Sequence, residues 1–174
     1  KYYANIIRFA FQVEKPFTDN PYVKYVKLPK VEKGSYLKTG TKVVSAGWGI
    51  TSMSRFYGES SPILLDVTLD ILDNDKCSQE PFFEKFEEYG LGITEGMICT
   101  ETLGKDTTAV SIASFQGVSG ILEDLYLLKE GNDSTLIGVV SFGEGSGKLG
   151  DPGVYTSVVY YKKWIYLNTV SFPE

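Results

Sequence analysis

The sequence predicts an all-β protein built as a barrel, and three observations predict it. The stretch from Leu65 to Ile71 alternates strictly, Leu65, Val67, Leu69 and Ile71 apolar against Asp66, Thr68 and Asp70. That period of two puts one face in a core and the other in water. About seven or eight short runs rich in branched and aromatic residues recur along the chain, separated by Gly, Pro, Asn and Asp. Only two stretches carry a helical pattern. With 174 residues and 43% hydrophobic content, the chain is long and apolar enough to bury one core.

Taken in order, Asn5 to Val13 (NIIRFAFQV) reads as a strand and Glu14 to Pro21 as a loop with two prolines. Tyr22 to Pro29 sets Val23, Tyr25 (or Val26) and Leu28 among lysines, the pattern of an extended connector. A lysine-rich, glycine-punctuated stretch runs from Lys30 to Gly40. Lys42 to Ala46 is a short strand that ends at Gly47-Trp48-Gly49, and Ser52 to Ser61 is a polar loop.

The alternating strand follows, and then Asp73-Asn74-Asp75, a helix cap. Phe82, Phe83 and Phe86 give the helix after it an apolar side, with Glu84, Glu87 and Glu88 on the wet one. Gly96 to Thr100 begins a strand and Glu101 to Ala109 is a polar loop. Leu125 to Lys129 and Thr135 to Phe142 are strands joined by the turn Gly131-Asn132-Asp133. Gly153 to Val158 is the last strand, and Tyr160 to Asn168 a closing helix.

Composition narrows the function classes. A net charge of −5 argues against nucleic acid or a membrane surface as partner. No apolar run approaches the roughly 20 residues that span a bilayer. The exception to the acidic balance is the series Lys24, Lys27, Lys30, Lys33, Lys38 and Lys42, either a solvated face or a site for a polyanion or glycan. Signal-peptide features are absent and Lys1 opens the chain, so a mature, processed or truncated product is expected. Cys77 and Cys99 are the two cysteines. They read either as one disulfide, which would stabilise by roughly 3 kcal/mol and imply an oxidising setting, or as two buried thiols. Without histidine, a zinc site has almost no ligands to draw on. No metal and no cofactor are predicted.

The stretch with chemical character is Ser114-Phe115-Gln116-Gly117-Val118-Ser119-Gly120-Ile121-Leu122. A serine between glycines suggests an exposed hydroxyl with backbone N–H groups aimed at an oxyanion. A serine hydroxyl becomes a nucleophile when a neighbouring base takes its proton, and these 174 residues contain no histidine. Other motifs fail on context. Gly145-Ser146-Gly147-Lys148-Leu149-Gly150 matches G-x-G-x-x-G but runs into Asp151-Pro152-Gly153 and a strand, where a dinucleotide site needs a helix. The Ser119 loop has Ile121 where G-x-S-x-G requires glycine. Asp66 and Asp70 lie four residues apart on the polar face of a strand and read as solvated positions rather than as an acid–base pair.

Together the segments resemble the chymotrypsin-like (trypsin-family) serine proteases. Val44-Ser45-Ala46-Gly47-Trp48-Gly49 is similar to the opening of that family's second barrel, and Met97-Ile98-Cys99 to its M-I-C segment. Gln116-Gly117-Val118-Ser119-Gly120 resembles Q-G-D-S-G, and Gly138-Val139-Val140-Ser141-Phe142-Gly143 resembles G-V-V-S-W-G. Pro152-Gly153-Val154-Tyr155-Thr156 is an unmodified P-G-V-Y-T, and Trp164-Ile165 stands in the closing helix where the family has W-I.

The resemblance implies a chymotrypsin-like second β-barrel over residues 30–159, with one short intermediate helix. Residues 1–29 would be the last strand of the first barrel and the interdomain connector, and 160–174 the C-terminal helix and tail. The rest of the first barrel, with the family's histidine, is largely absent from this chain. The resemblance also implies a Cys77–Cys99 disulfide, a pocket lined by Ala113, Ser141, Phe142, Gly143 and Gly153, and an extracellular location. Asn132-Asp133-Ser134 fits a glycosylation sequon whose use depends on secretion.

Departures from the family pattern predict a site without catalysis. Ser119 matches the nucleophile and Gly117 the oxyanion-hole glycine, both as relics. Val118 stands where the family has an aspartate that pairs with a freed N-terminal ammonium, and a valine forms no ion pair. Ile121 and Leu122 replace Gly-Pro. Asn5 is the best match to the orienting aspartate, and an asparagine does not stabilise an imidazolium. Phe115 and Ser146 occupy positions of paired cysteines. Ala113 matches the pocket-floor aspartate of trypsins, so a surviving pocket would not select Lys or Arg.

The expected function is a secreted, inactive protease homologue that binds proteins and modulates a proteolytic or immune cascade. The alternative is the second fragment of a nicked serine endopeptidase whose histidine lies on another chain. The partner is then a companion fragment supplying the first barrel.

Overall fold

A computed structural model describes residues 14–18, 20–29, 37–48, 61–81, 83–84, 92–101, 125–130, 133–143 and 152–169. Among them six strands form a closed antiparallel barrel in the order β1-β2-β3-β6-β5-β4. The strands are β1 (Lys42–Gly47), β2 (Leu65–Leu72), β3 (Met97–Glu101), β4 (Leu125–Glu130), β5 (Asp133–Gly143) and β6 (Gly153–Ser157). Helix α1 (Asn74–Ser78) lies between β2 and β3, and helix α2 (Val158–Thr169) follows β6 directly. The barrel closes where β1 meets β4, with Val44 opposite Leu127 and Ala46 opposite Leu125. Closure removes the free edges that an open sheet exposes. The expected strand Asn5–Val13 lies outside the described residues.

Local sequence explains each boundary. Gly40 takes a positive φ of 78°, the conformation glycine adopts without steric cost. The Thr41 N–H donates to the Lys38 carbonyl at 3.0 Å, closing a turn that delivers the chain into β1. At the start of α1, the Asp73 carboxylate accepts from the N–H groups of Asp75 (3.0 Å) and Lys76 (3.2 Å), the expected cap. At the start of α2, the Ser157 hydroxyl accepts from the Tyr160 N–H at 3.1 Å. The last strand therefore ends one residue earlier, and the helix begins two residues earlier, than the sequence pattern indicates. The cap supplied by Ser157 is the physical reason.

The period-two reading of β2 holds for half of the strand. Leu65 and Val67 are half-buried and Asp66 and Thr68 exposed, but Leu69, Asp70, Ile71 and Leu72 are all buried. Asp70 is paired on both sides, with Lys42 of β1 and Glu101 of β3, and Ile71 and Leu72 pair with Thr100 and Cys99 of β3. Asp70, expected in water, is 8% exposed. It sits directly opposite Lys42, whose Nζ donates to both carboxylate oxygens at 3.1 and 3.2 Å. A buried carboxylate is tolerated when a cation and its hydrogen bonds compensate the lost water.

Two apolar clusters pack on opposite faces of the barrel sheet, since adjacent residues of β3 and β6 divide between them. The first joins Val43, Leu69, Ile71, Ile98, Ile137, Tyr155 and Val159. The second joins Leu72, Cys77, Phe83, Met97, Cys99 and Val154. Within the barrel the Tyr155 hydroxyl donates to the buried Ser45 Oγ at 3.4 Å.

Residues 20–29, read from the sequence as part of a loop and an extended connector, make a turn closed by Asn20 and Val23 and then attach to the barrel through β5. Strand β5 is longer than its neighbour: β6 pairs with Gly138 to Gly143, whereas Asp133 to Leu136 pair with β4. The Lys27 N–H donates to Ser134 O at 3.3 Å, and the Leu136 N–H donates to Lys27 O at 2.8 Å. This parallel bridge between Lys27 and Thr135 covers part of the edge that β6 leaves open. The Lys27 ammonium also pairs with Asp133. Around the bridge Phe17, Tyr22, Tyr25, Val26 and Leu28 remain exposed.

Candidate functional site

Of the residues expected to line a pocket, Ser141, Phe142, Gly143 and Gly153 sit at the end of the β5–β6 ladder next to the connection between the two strands. Phe142 pairs with Val154 and Gly143 with Gly153, so Phe142, Gly143 and Gly153 are brought together in one ladder. Between Val140 and Phe142 the register shifts by one residue, since Val140 faces Tyr155 and Phe142 faces Val154. Ser141 is thus the extra residue of a β-bulge, a device that re-aims side chains at the rims of barrels. The sequence carried no signal for this bulge. Ser119, Gly117, Val118, Ala113, Asn5 and Asn132 lie outside the described residues.

Strand β4 begins at Leu125, six residues after Ser119. Leu125 pairs with Ala46 on one side and Val139 on the other. Val139 is two residues before Ser141, so Leu125 lies beside the end of β5 that carries Ser141, Phe142 and Gly143.

The wall rests on the second apolar cluster. The Phe142 ring packs against that cluster and meets Phe83 edge-on, with centroids 6.0 Å apart and planes at 67°. Cys77 and Cys99 form a disulfide with Cα atoms 6.3 Å apart, which excludes the free-thiol reading and ties α1 to β3. Asn74 reinforces the tie, its Nδ2 donating to Thr94 O at 3.2 Å and Met97 O at 3.0 Å. Phe83 was legible only as the apolar side of a helix; its contact with Phe142 spans residues far apart in sequence.

The remaining motifs resolve in part. The segment after Gly145–Gly150 is strand β6, so no helix opens there for a dinucleotide. Of the six lysines in the basic series, Lys27 pairs with Asp133 and Lys42 with Asp70, which subtracts two cations from any polyanion surface. No helix among the described residues is long and apolar enough to cross a membrane.

A closed six-stranded antiparallel barrel, disulfide-tied to a short intermediate helix and finished by a C-terminal helix, is the architecture of a chymotrypsin-like barrel. The comparisons agree: the family model described as Trypsin matches residues 9–165, and the chain belongs to the trypsin family. It is 31% identical over 160 residues to the mouse (Mus musculus) hepatocyte growth factor activator serine protease, covering 92% of this chain and 22% of that relative. It is 30% identical over 164 residues to the clotting factor G beta subunit of Tachypleus tridentatus, covering 93% of this chain and 49% of the relative. With trypsin eta of Drosophila melanogaster the identity is 36% over 135 residues, or 76% of this chain and 42% of the relative. The chain thus spans less than half the length of each of these relatives.

Proposed function

We propose that this trypsin-family chain is a catalytically inactive homologue that acts by binding other proteins. The observation that carries this reading is Val118 beside Ser119 in Gln116-Gly117-Val118-Ser119-Gly120. It is independent of any polypeptide beyond these 174 residues. In the family pattern the aspartate at this position forms the ion pair that shapes the oxyanion hole, and a valine side chain has no charge with which to do so. An oxyanion hole that is not shaped gives up what is usually the largest electrostatic contribution to acyl transfer. Asn5, the match to the orienting aspartate, supports the same reading, and Ala113 at the position matched to the pocket floor removes selection for Lys or Arg. The resemblance and the disulfide support an extracellular location, where partners in a proteolytic or immune cascade are met. The acidic balance supports a protein partner over nucleic acid or a membrane surface.

A second reading is favoured by the lengths of the relatives. The chain is then one part of a serine endopeptidase whose first barrel, with its histidine, is supplied by a companion polypeptide pairing with Asn5 to Val13. Intact-mass measurement of the purified material distinguishes the two by the presence of a second chain. Labelling with a fluorophosphonate tests activity directly. The inactive reading expects no adduct on Ser119, and stoichiometric labelling there overturns it.

A further inference from the structure

The segment ahead of the barrel is exposed over its described length. Residues 14–18 and 20–28 all lie at the surface, and Pro29 is the first to be buried. Two sets of contacts bracket its middle. Upstream, the N–H groups of Asn20 and Val23 each donate to the other's carbonyl, at 3.3 and 3.2 Å. Downstream, the N–H and the carbonyl of Lys27 are both bonded to β5. Between them, the Lys24 carbonyl and the Tyr25 N–H have no hydrogen-bond partner among the described residues. The other described lysines are placed differently. Lys15 precedes Pro16, whose missing N–H and fixed φ keep a protease from seating that bond. Lys27 is tied to β5 and paired with Asp133, and the Lys38 carbonyl closes the turn before β1. Lys42 and Lys129 lie in strands, and Lys76, Lys162 and Lys163 in helices. A protease needs exposed backbone that it can draw out as an extended strand, and nicking concentrates where such backbone has few bonds of its own.

We propose that the Lys24–Tyr25 bond is a processing site for a separate protease that selects lysine, and that its hydrolysis frees the barrel from residues 1–24. Water adds across the amide, leaving a carboxylate on Lys24 and an ammonium on Tyr25. Seating the bond opens the turn between Asn20 and Val23, which breaks two long hydrogen bonds at the surface. All six strands, both helices and the disulfide lie downstream of the cut. The two cysteines of the chain are joined to each other, so no disulfide within the chain holds residues 1–24 to the barrel. Among the described residues one hydrogen bond crosses the cut, from the Tyr25 hydroxyl to Phe17 O, and it is exposed. On the barrel side, the bonds of Lys27 and the burial of Pro29 keep the new end attached. The cut requires no reaction at Ser119, so this site stands apart from the inactive reading.

Limited digestion of the full chain with trypsin, read by intact mass and N-terminal sequencing, tests this. A product beginning at Tyr25 is expected to form at least about tenfold faster than cuts after Lys27, Lys38, Lys42, Lys76 or Lys129. Size-exclusion chromatography of the cut material should part the barrel from the peptide of residues 1–24. Lys24→Gln, at an exposed position, should keep the thermal midpoint and slow the cut at this bond at least about a hundredfold. A Tyr25 terminus that forms no faster than a Leu28 terminus, or only on material already cut downstream, overturns the proposal. So does a peptide that stays with the barrel through size exclusion. If Lys24→Gln does not fold, digestion of the unchanged chain decides alone by the same criteria. Fluorophosphonate labelling of Ser119 reads a different event, so failure of the inactive reading and failure of this one are distinguishable.

Discussion

The two apolar clusters of the barrel are held by different means. The first, around Val43, Ile98, Ile137 and Tyr155, is supplied by strands and the first turn of α2, and its members pack across a closed ladder. The second, around Cys77, Phe83, Met97 and Cys99, mixes strand residues with a short helix and the segment beyond it. A five-residue helix is too short to be stable alone. It stays because Asp73 caps it, Asn74 binds the β3 entry and a covalent bond holds Cys77. The half of the molecule that supports the wall residues thus depends on a crosslink, whereas the other half depends on packing. Elements that carry binding surfaces are commonly added to a rigid scaffold in this way.

Four changes probe this contrast, from the largest effect to the smallest. Ile137 is fully buried in the first cluster, and Ile137→Ala is expected to cost about 4 kcal/mol in a urea melt. A cost below about 1 kcal/mol would mean that the strand cluster is not held by close packing. Removing the crosslink with Cys77→Ala and Cys99→Ala is expected to cost about 3 kcal/mol by loop-entropy reasoning over a separation of 22 residues. In amide exchange the loss should concentrate at α1 and β3, sparing Val43 and Leu69. A uniform loss would erase the distinction between the clusters. Ser157→Ala removes the cap of α2 and is expected to cost about 1 kcal/mol, read as a lower thermal midpoint with faster exchange in the first turn. The smallest change concerns the connector. Lys27 and Asp133 are both largely exposed, so Lys27→Ala should cost about 0.3 kcal/mol and the effect should fade as salt is raised. A loss that persists in high salt would mean that the Lys27 side chain contributes through packing of its stem rather than through the ion pair.

Legibility in the sequence followed how local each cause is. Asp73 as a cap and the strands read as Lys42 to Ala46 and from Gly96 to Thr100 were readable, each within one residue of the observed bounds, because their determinants lie within a few residues. The pattern Leu65 to Ile71 announced a strand but misplaced Asp70, because its burial depends on β3 and on Lys42, 28 residues away. The attachment of the segment around Lys27 to β5 was invisible, since Lys27 meets residues more than 100 positions distant. Phe142 and Gly143 were identifiable as wall residues only through resemblance. The bulge that displaces Ser141 left no local mark, because it arises from a mismatch between two strands and not from either one.

What the sequence determined by itself was the alternation, the turns, the caps and the chemistry of the serine loop, with Val118 in place of a charged neighbour. These follow from residue identity at short range, where backbone preference and side-chain period act directly. The tertiary structure alone decided the closure of β1 on β4, the burial of Asp70 against Lys42, the bulge at Ser141 and the meeting of Phe83 with Phe142. Each of these is a contact between distant segments, and its free energy exists only once the barrel has brought both sides together.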